Sequence, residues 1–197
     1  MNISEIDFAK FLETQISCIH ELENNFLIIK QIIDEILKAR NNNRKIFIMG
    51  NGGSGSTASH FCADLLKTAI IKGENRFQAF SLADNNPVIL AWSNDVSYDD
   101  IFVEQLKNLL SKNDVLIGFS GSGNSNNIVK AFQYGKKTGS ICLGFTGESG
   151  GLMKKYCKIC LQVKSDHMLT IESQHVLIFH CIIEIIRKTG KPLFDYK

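Results

Sequence analysis

Proline, tryptophan, clustered basic charge and long apolar runs are all scarce in this sequence of 197 residues. It holds two prolines and one tryptophan, and 22 Lys and Arg against 20 Asp and Glu leave a formal net charge of +2. So small an excess, with no run of basic residues, argues against nucleic acid or an anionic membrane as a partner. No apolar run approaches the roughly 20 residues needed to cross a bilayer. The first ten residues carry Glu5 and Asp7 where a signal peptide would have its apolar core. The cysteines at 18, 62, 142, 157, 160 and 181 are therefore expected as reduced thiols in the cytoplasm. Cys157-Lys-Ile-Cys160 is formally a CxxC, but it lacks a second pair and leads into an apparent strand. It reads as apolar packing.

What is present is an ordinary globular balance, 44% hydrophobic and 21% charged, enough for one domain with a substantial core. Residues 1–43 read as N-terminal helices, because Phe8, Phe11, Leu12, Ile16, Ile19, Leu22 and Phe26 recur at spacings of three and four. Residues 44–197 alternate. Short apolar runs at Lys45–Met49, Phe77–Leu82, Asp114–Phe119, Ser140–Phe145 and Ile159–Val163 suit strands buried on both faces. Helical stretches fall between them: Ser56–Lys67, Pro87–Ser93, Asp100–Leu110, about 125–138 and 151–156, with a long one at about 171–188. This order predicts an α/β fold, a doubly wound five-stranded parallel sheet with helices on both faces. The last helix is apolar nearly all round and the N-terminal helices are apolar for surface elements. Such surfaces are expected to be covered by another subunit.

Ligands of parallel sheets bind beyond the carboxyl ends of the strands. Three of those ends are rich in Gly, Ser and Asn: Gly50-Asn-Gly-Gly-Ser-Gly-Ser-Thr57, Ser120-Gly-Ser-Gly-Asn-Ser-Asn-Asn127 and Thr146-Gly-Glu-Ser-Gly-Gly151. Glycines let the backbone approach an anion, and each loop opens a helix whose free N–H groups and dipole attract negative charge. The spacing fits neither a nucleotide P-loop nor a dinucleotide fingerprint. The pattern points to a phosphomonoester held by Ser120, Ser122 and Ser125 around Gly121, with Asn51, Gly52, Gly53 and Ser54 lining the neighbouring wall. His60 and Asp64 follow on the next helix, four apart and so on one face. Glu172, His175 and His180 sit on the apolar last helix, where burial without a partner is costly. Metal or substrate contact is the obvious compensation. Glu172 and His180 are separated by about 12 Å along a straight helix and about 80° around it, so their convergence is not given by spacing.

Gly50-Asn-Gly-Gly-Ser54, His60, Asn94-Asp95, Ser120-Gly-Ser-Gly-Asn-Ser125 and Glu172-x-x-His175-x4-His180 together resemble the phosphoheptose isomerases of the SIS (sugar isomerase) superfamily over nearly the whole chain. The resemblance implies a flavodoxin-like SIS fold with an N-terminal helical extension. It implies a homotetramer with sites at subunit interfaces and a divalent metal, commonly zinc. It also implies conversion of D-sedoheptulose 7-phosphate to D-glycero-D-manno-heptose 7-phosphate through a cis-enediol, feeding nucleotide-heptose for capsule or lipopolysaccharide. By the same resemblance His60, Asp64, Glu172 and His180 are the metal ligands, Asp64 the base and His180 the acid. Asp84, Asn94, Asp95 and Glu172 join the substrate contacts. Asp64 stands where the family has Glu, and Glu172 where it has Gln, which marks a variant subfamily. Two other readings compete: a non-catalytic SIS protein that binds a protein partner such as a replication initiator, and an isomerase of another phosphosugar.

Overall fold

A computed structural model describes residues 4–195; the outermost residues of the expected domain, 1–3 and 196–197, lie outside the described residues. Two helices come first, α1 (Glu5–Glu23) and α2 (Phe26–Asn41). The Ser4 hydroxyl accepts from the Asp7 N–H at 3.3 Å and so caps α1, whose first turn carries Glu5 and Asp7 against the helix dipole. The chain then runs β1 (Lys45–Gly50), α3 (Gly52–Ala63), β2 (Gln78–Ser81), α4 (Asn86–Asp95), α5 (Val103–Leu109), β3 (Val115–Ser120), α6 (Asn126–Thr138), β4 (Ile141–Thr146), β5 (Ile159–Gln162) and α7 (Met168–Arg187). All neighbouring strands pair in parallel, in the spatial order β2-β1-β3-β4-β5. The predicted doubly wound sheet is therefore what forms, in the flavodoxin-like order. The order reverses between β1 and β3, which opens a crevice there at the carboxyl edge.

The central strands β1, β3 and β4 are buried on both faces, while the edge strands β2 and β5 are only partly covered, and the central side chains alternate between two cores. Ile46, Ile48, Ile117, Phe119, Leu143 and Phe145 point to the side covered by α2, α3 and α7. Phe47, Met49, Leu116 and Cys142 point to the side covered by α5 and α6. The six cysteines are free thiols, as expected.

Three local expectations are corrected. Helix α3 begins at Gly52, not Ser56, so the glycines read as a loop form its first turn. Its regular part ends at Ala63, and Asp64–Thr68 forms a single wide π-helical turn closed by the Ala69 N–H on the Asp64 carbonyl. Helix α7 is not left bare for a partner along its whole length. Ile171, Ile178, Phe179, Ile182, Ile183 and Ile186 are buried against this chain's own sheet and helices. The bare apolar stripe lies on α1 and the start of α2, where Phe8, Leu12, Ile16, Ile19, Phe26 and Leu27 are exposed.

His175 lies in the core, 1% exposed, packed against the stacked rings of Phe119 and Phe145. Its Nε2 stands 3.4 Å from the Thr146 carbonyl oxygen, while its Nδ1 has no hydrogen-bond partner. Burial disfavours the imidazolium and lowers its pKa to about 4. A histidine whose folded pKa lies below its unfolded value stabilises the fold above the unfolded pKa, about 6.5, and loses that contribution as pH falls towards the folded one. Between pH 6.5 and 4 the wild-type protein is expected to lose stability with a slope of up to about 1.4 kcal/mol per pH unit from this group. His175→Gln should flatten that part of the profile, measured by urea denaturation across the window.

Candidate active site

Two zones lie along helix α3, the first at the carboxyl edge of the sheet where α3 starts and the second at its far end. The first is a cavity of about 290 Å³ in the crevice between β1 and β3, lined by Asn51 to Ser54, Ser120 to Ser122, Ser125 and Glu172. It lies between the N-termini of α3 and α6, so backbone N–H groups and two helix dipoles face it. No Lys or Arg is among its lining residues. Ser120 is buried, its hydroxyl accepting from the Gly123 N–H at 3.1 Å and standing 3.4 Å from the Ser125 hydroxyl. Gly123 holds φ +65°, with the Gly150 carbonyl where a Cβ would stand, so the loop's tight course requires glycine there. The third Gly/Ser loop leads only into a four-residue 3₁₀ turn, Met153–Tyr156. Its role is to brace the second loop: Met153 N–H donates to the Gly123 carbonyl at 2.9 Å and Leu152 N–H to the Asn124 side chain at 2.9 Å.

The second zone is ionisable. His60 on α3, Asp64 at the start of the π turn and His180 on α7 converge. Asp64 Oδ2 lies 3.7 Å from His60 Nε2 and 3.8 Å from His180 Nε2. The Thr68 hydroxyl donates to Asp64 Oδ1 at 2.8 Å, which leaves Oδ2 aimed at the imidazoles. The Phe179 ring stands edge-on to His60 at 4.9 Å. Both histidines are about half exposed, and the three groups open into a cavity of about 740 Å³ that reaches Arg187 and Pro192.

This donor set fits a divalent cation. Each of the three residues offers one ligand atom, and these atoms all lie within 4.8 Å of one another. Donors on one tetrahedral zinc, bound at about 2.0–2.2 Å, stand about 3.4 Å apart, so the 3.7 and 3.8 Å contacts and the separation of the two imidazoles would all have to contract to that geometry. Zinc, nickel and cobalt all accept imidazole and carboxylate.

Glu172 links the zones. It lines the anion cavity and also a second cavity, about 320 Å³, shared with His60 and Gly53. Its carboxylate packs against Gly53, where a Cβ would stand 2.6 Å from Oε2. Within one chain it is not part of the convergent three-residue group. Asp84, Asn94 and Asp95 are not brought to either zone. Asp84 is exposed on the loop after β2 and accepts from the Ser59 hydroxyl. Asn94 and Asp95 are exposed at the end of α4 and bonded to each other at 2.8 Å. The residue that sequence reasoning missed is Thr68; its spacing of four from Asp64 was the available signal.

The chain matches the SIS domain family over residues 10–147. Over 187 residues it is 35% identical to the phosphoheptose isomerase of Helicobacter pylori (strain P12), spanning 94% of this chain and 96% of that one. This chain belongs to the phosphoheptose isomerase family of SIS domain proteins. Among solved SIS structures it is similar to a phosphoheptose isomerase from Francisella tularensis, with a TM-score of 0.87 and 28% identity over 94% of this chain and all of that one. It is also similar to the phosphoheptose isomerase GmhA from Neisseria gonorrhoeae, with a TM-score of 0.84 and 29% identity over 93% and 98%.

Divalent zinc titrated into metal-free protein is expected to bind at His60, Asp64 and His180. Thr68→Val removes the donor that orients Asp64 and nothing from the ligand set, so zinc affinity should fall by about 10–100-fold, measured by calorimetry against a competing chelator. Unchanged affinity would show that the Thr68 hydroxyl does not tune the cluster.

Proposed function

We propose that this protein is an aldose–ketose isomerase that converts D-sedoheptulose 7-phosphate to D-glycero-D-manno-heptose 7-phosphate, as a step towards nucleotide-activated heptose. The observation that carries the reading is the pairing of an anion cavity with a His–Asp–His cluster, joined through Glu172. A seven-carbon phosphosugar has the two ends this arrangement asks for. The phosphate sits on the N-termini of α3 and α6 and on Ser120, Ser122 and Ser125, and its binding orients the remote carbonyl end.

At the reacting end a base must remove a proton from C1 of the ketose while O2 is stabilised. Asp64 is that base. Its carboxylate takes the C1 proton, the electron pair forms the C1–C2 double bond, and His180 gives a proton to O2. In the second half His180 takes the proton of the enediol O1–H, the aldose carbonyl forms at C1, and Asp64 returns its own proton to C2. His60, Asp64 and His180, with Glu172 as a further donor, would hold a divalent cation, zinc by donor chemistry, and such a cation would polarise the substrate oxygens. Aspartate is one methylene shorter than the glutamate of the family pattern, and the Thr68 hydrogen bond fixes where its free oxygen points.

The protein acts as a homo-oligomer, a tetramer by the resemblance, with its sites at subunit interfaces in the cytoplasm. Support comes from the exposed stripe Phe8, Leu12, Ile16, Ile19, Phe26 and Leu27, too contiguous an apolar surface for a monomer. Asp84, Asn94 and Asp95, which do not line the site cavities of one chain, would then contact a substrate bound to a neighbouring copy. A partner-binding role without turnover is less well supported, because it gives no reason for His60, Asp64 and His180 to converge.

Purified protein given sedoheptulose 7-phosphate is expected to produce an aldose detectable by NMR, while unphosphorylated sedoheptulose should turn over poorly. Asp64→Asn should lower kcat by about 10²–10⁴-fold and slow solvent-proton exchange at the α-carbon equally. Exchange at the wild-type rate in that variant would pass the role of base to Glu172. Light scattering is expected to give a multiple of the 22.0 kDa chain, and Ile16→Glu with Phe8→Glu should shift it to the monomer with loss of turnover.

A further inference from the structure

The two helix N-termini that face the anion cavity are tied together by one side chain to which no role has been given. Asn127 is the second residue of α6, 1% exposed. Its Oδ1 accepts from the Ile128 N–H at 2.9 Å, and since an N–H can only donate, this bond fixes which way the amide faces. The remaining geometry follows. Asn127 Nδ2 donates to Asn51 Oδ1 at 2.9 Å, and Asn51 Nδ2 donates back to Asn127 Oδ1 at 2.9 Å. The Tyr98 hydroxyl donates to the same Asn51 Oδ1 at 3.1 Å. Asn51 is the N-cap of α3 but makes no side-chain cap bond to its own helix. Its amide is spent across the crevice.

We propose that Asn127 is a positioning residue: with Asn51 it sets the separation of the α3 and α6 N-termini, and so the fit of the phosphate group between them. The inference rests on the reading of this cavity as a phosphate site. Three features favour a positioning role over simple packing. The amide pair spans 76 residues of sequence and joins the N-termini of the two helices that follow the strands flanking the crevice. It lies behind the cavity wall: Asn51 is a lining residue and Asn127 is not. And both groups are neutral, so they fix the N–H donors around an anion without adding charge of either sign. A donor array of this kind, uncompensated by Lys or Arg, depends on spacing, because each N–H contributes only when aimed at the anion.

Two variants separate the clamp from its surroundings. Asn127→Asp keeps the acceptor for Ile128 N–H and turns the donor facing Asn51 into a second acceptor. Asn127→Leu removes both functions without charge. Inorganic phosphate is titrated into wild type and both variants by ³¹P NMR, and kcat, KM and melting temperature are recorded for the sugar phosphate. Both variants are expected to bind phosphate about tenfold more weakly and to raise KM by about the same factor, with kcat within about twofold of wild type. Zinc affinity at the distant cluster should not change. Wild-type phosphate affinity and KM in both variants would overturn the inference while leaving the phosphate site standing. A parallel fall in kcat, zinc affinity and melting temperature would also overturn it, showing Asn127 to be a folding residue. Wild-type protein that binds neither phosphate nor sugar phosphate would remove the phosphate reading itself, and the inference with it.

Discussion

The reversal of strand order between β1 and β3 is the constraint on which the rest of this molecule depends. Successive strands on either side of that point are laid down in opposite directions, so the loops leaving β1 and β3 diverge and no connection fills the gap between them. Two helices start at the edges of the gap, neither of them capped by the side chain of its N-cap residue. With no lysine or arginine in the lining, attraction for an anion there comes from oriented peptide dipoles and hydroxyls. Dipoles fixed in a sheet framework cost little reorganisation when a charge arrives, which suits a group that is held and not transformed.

The ionisable zone is organised on another plan. Its groups come from three separate stretches, α3, the π turn and α7, and two of the three are half exposed. Orientation is imposed locally: Thr68 on one oxygen of Asp64, Phe179 against the His60 ring. A single π-helical turn is a frequent companion of functional sites, because the widened turn presents side chains that a regular helix would carry past one another. Here it starts at Asp64 itself. The rigid zone of serines and helix N-termini and the adjustable, ionisable zone are joined through Gly53 and Glu172.

Most of the fold was legible because buried parallel strands leave short uninterrupted apolar runs, and each of the five fell within a residue or two of its place. The cavity was legible too, since glycines and serines behind strands have few other uses. Three things were not. The glycines of α3 look like a loop, yet they form a helical turn because the backbone of α3 must approach Glu172 closely at Gly53. The π turn has no sequence signature, because hydrogen-bond register is decided by packing. The destination of α7 was ambiguous because an all-apolar helix reads the same whether its own chain or another covers it. Asp84, Asn94 and Asp95 show a different limit: they stand away from both zones of one chain, and no pattern in a single sequence reports what a second copy brings near.

The contact between Gly53 and Glu172 has a consequence for how such a site can change over generations. The carboxylate occupies the volume that a methyl at position 53 would need, so the two positions do not drift independently. A lineage that acquires alanine at 53 first, with Glu172 in place, must swing the acidic side chain out of the wall shared by the two cavities. A lineage that first shortens 172 meets no such barrier. The order of substitution is thus channelled, and reconstructed ancestors of this branch should hold glycine at 53 at every node where 172 is acidic.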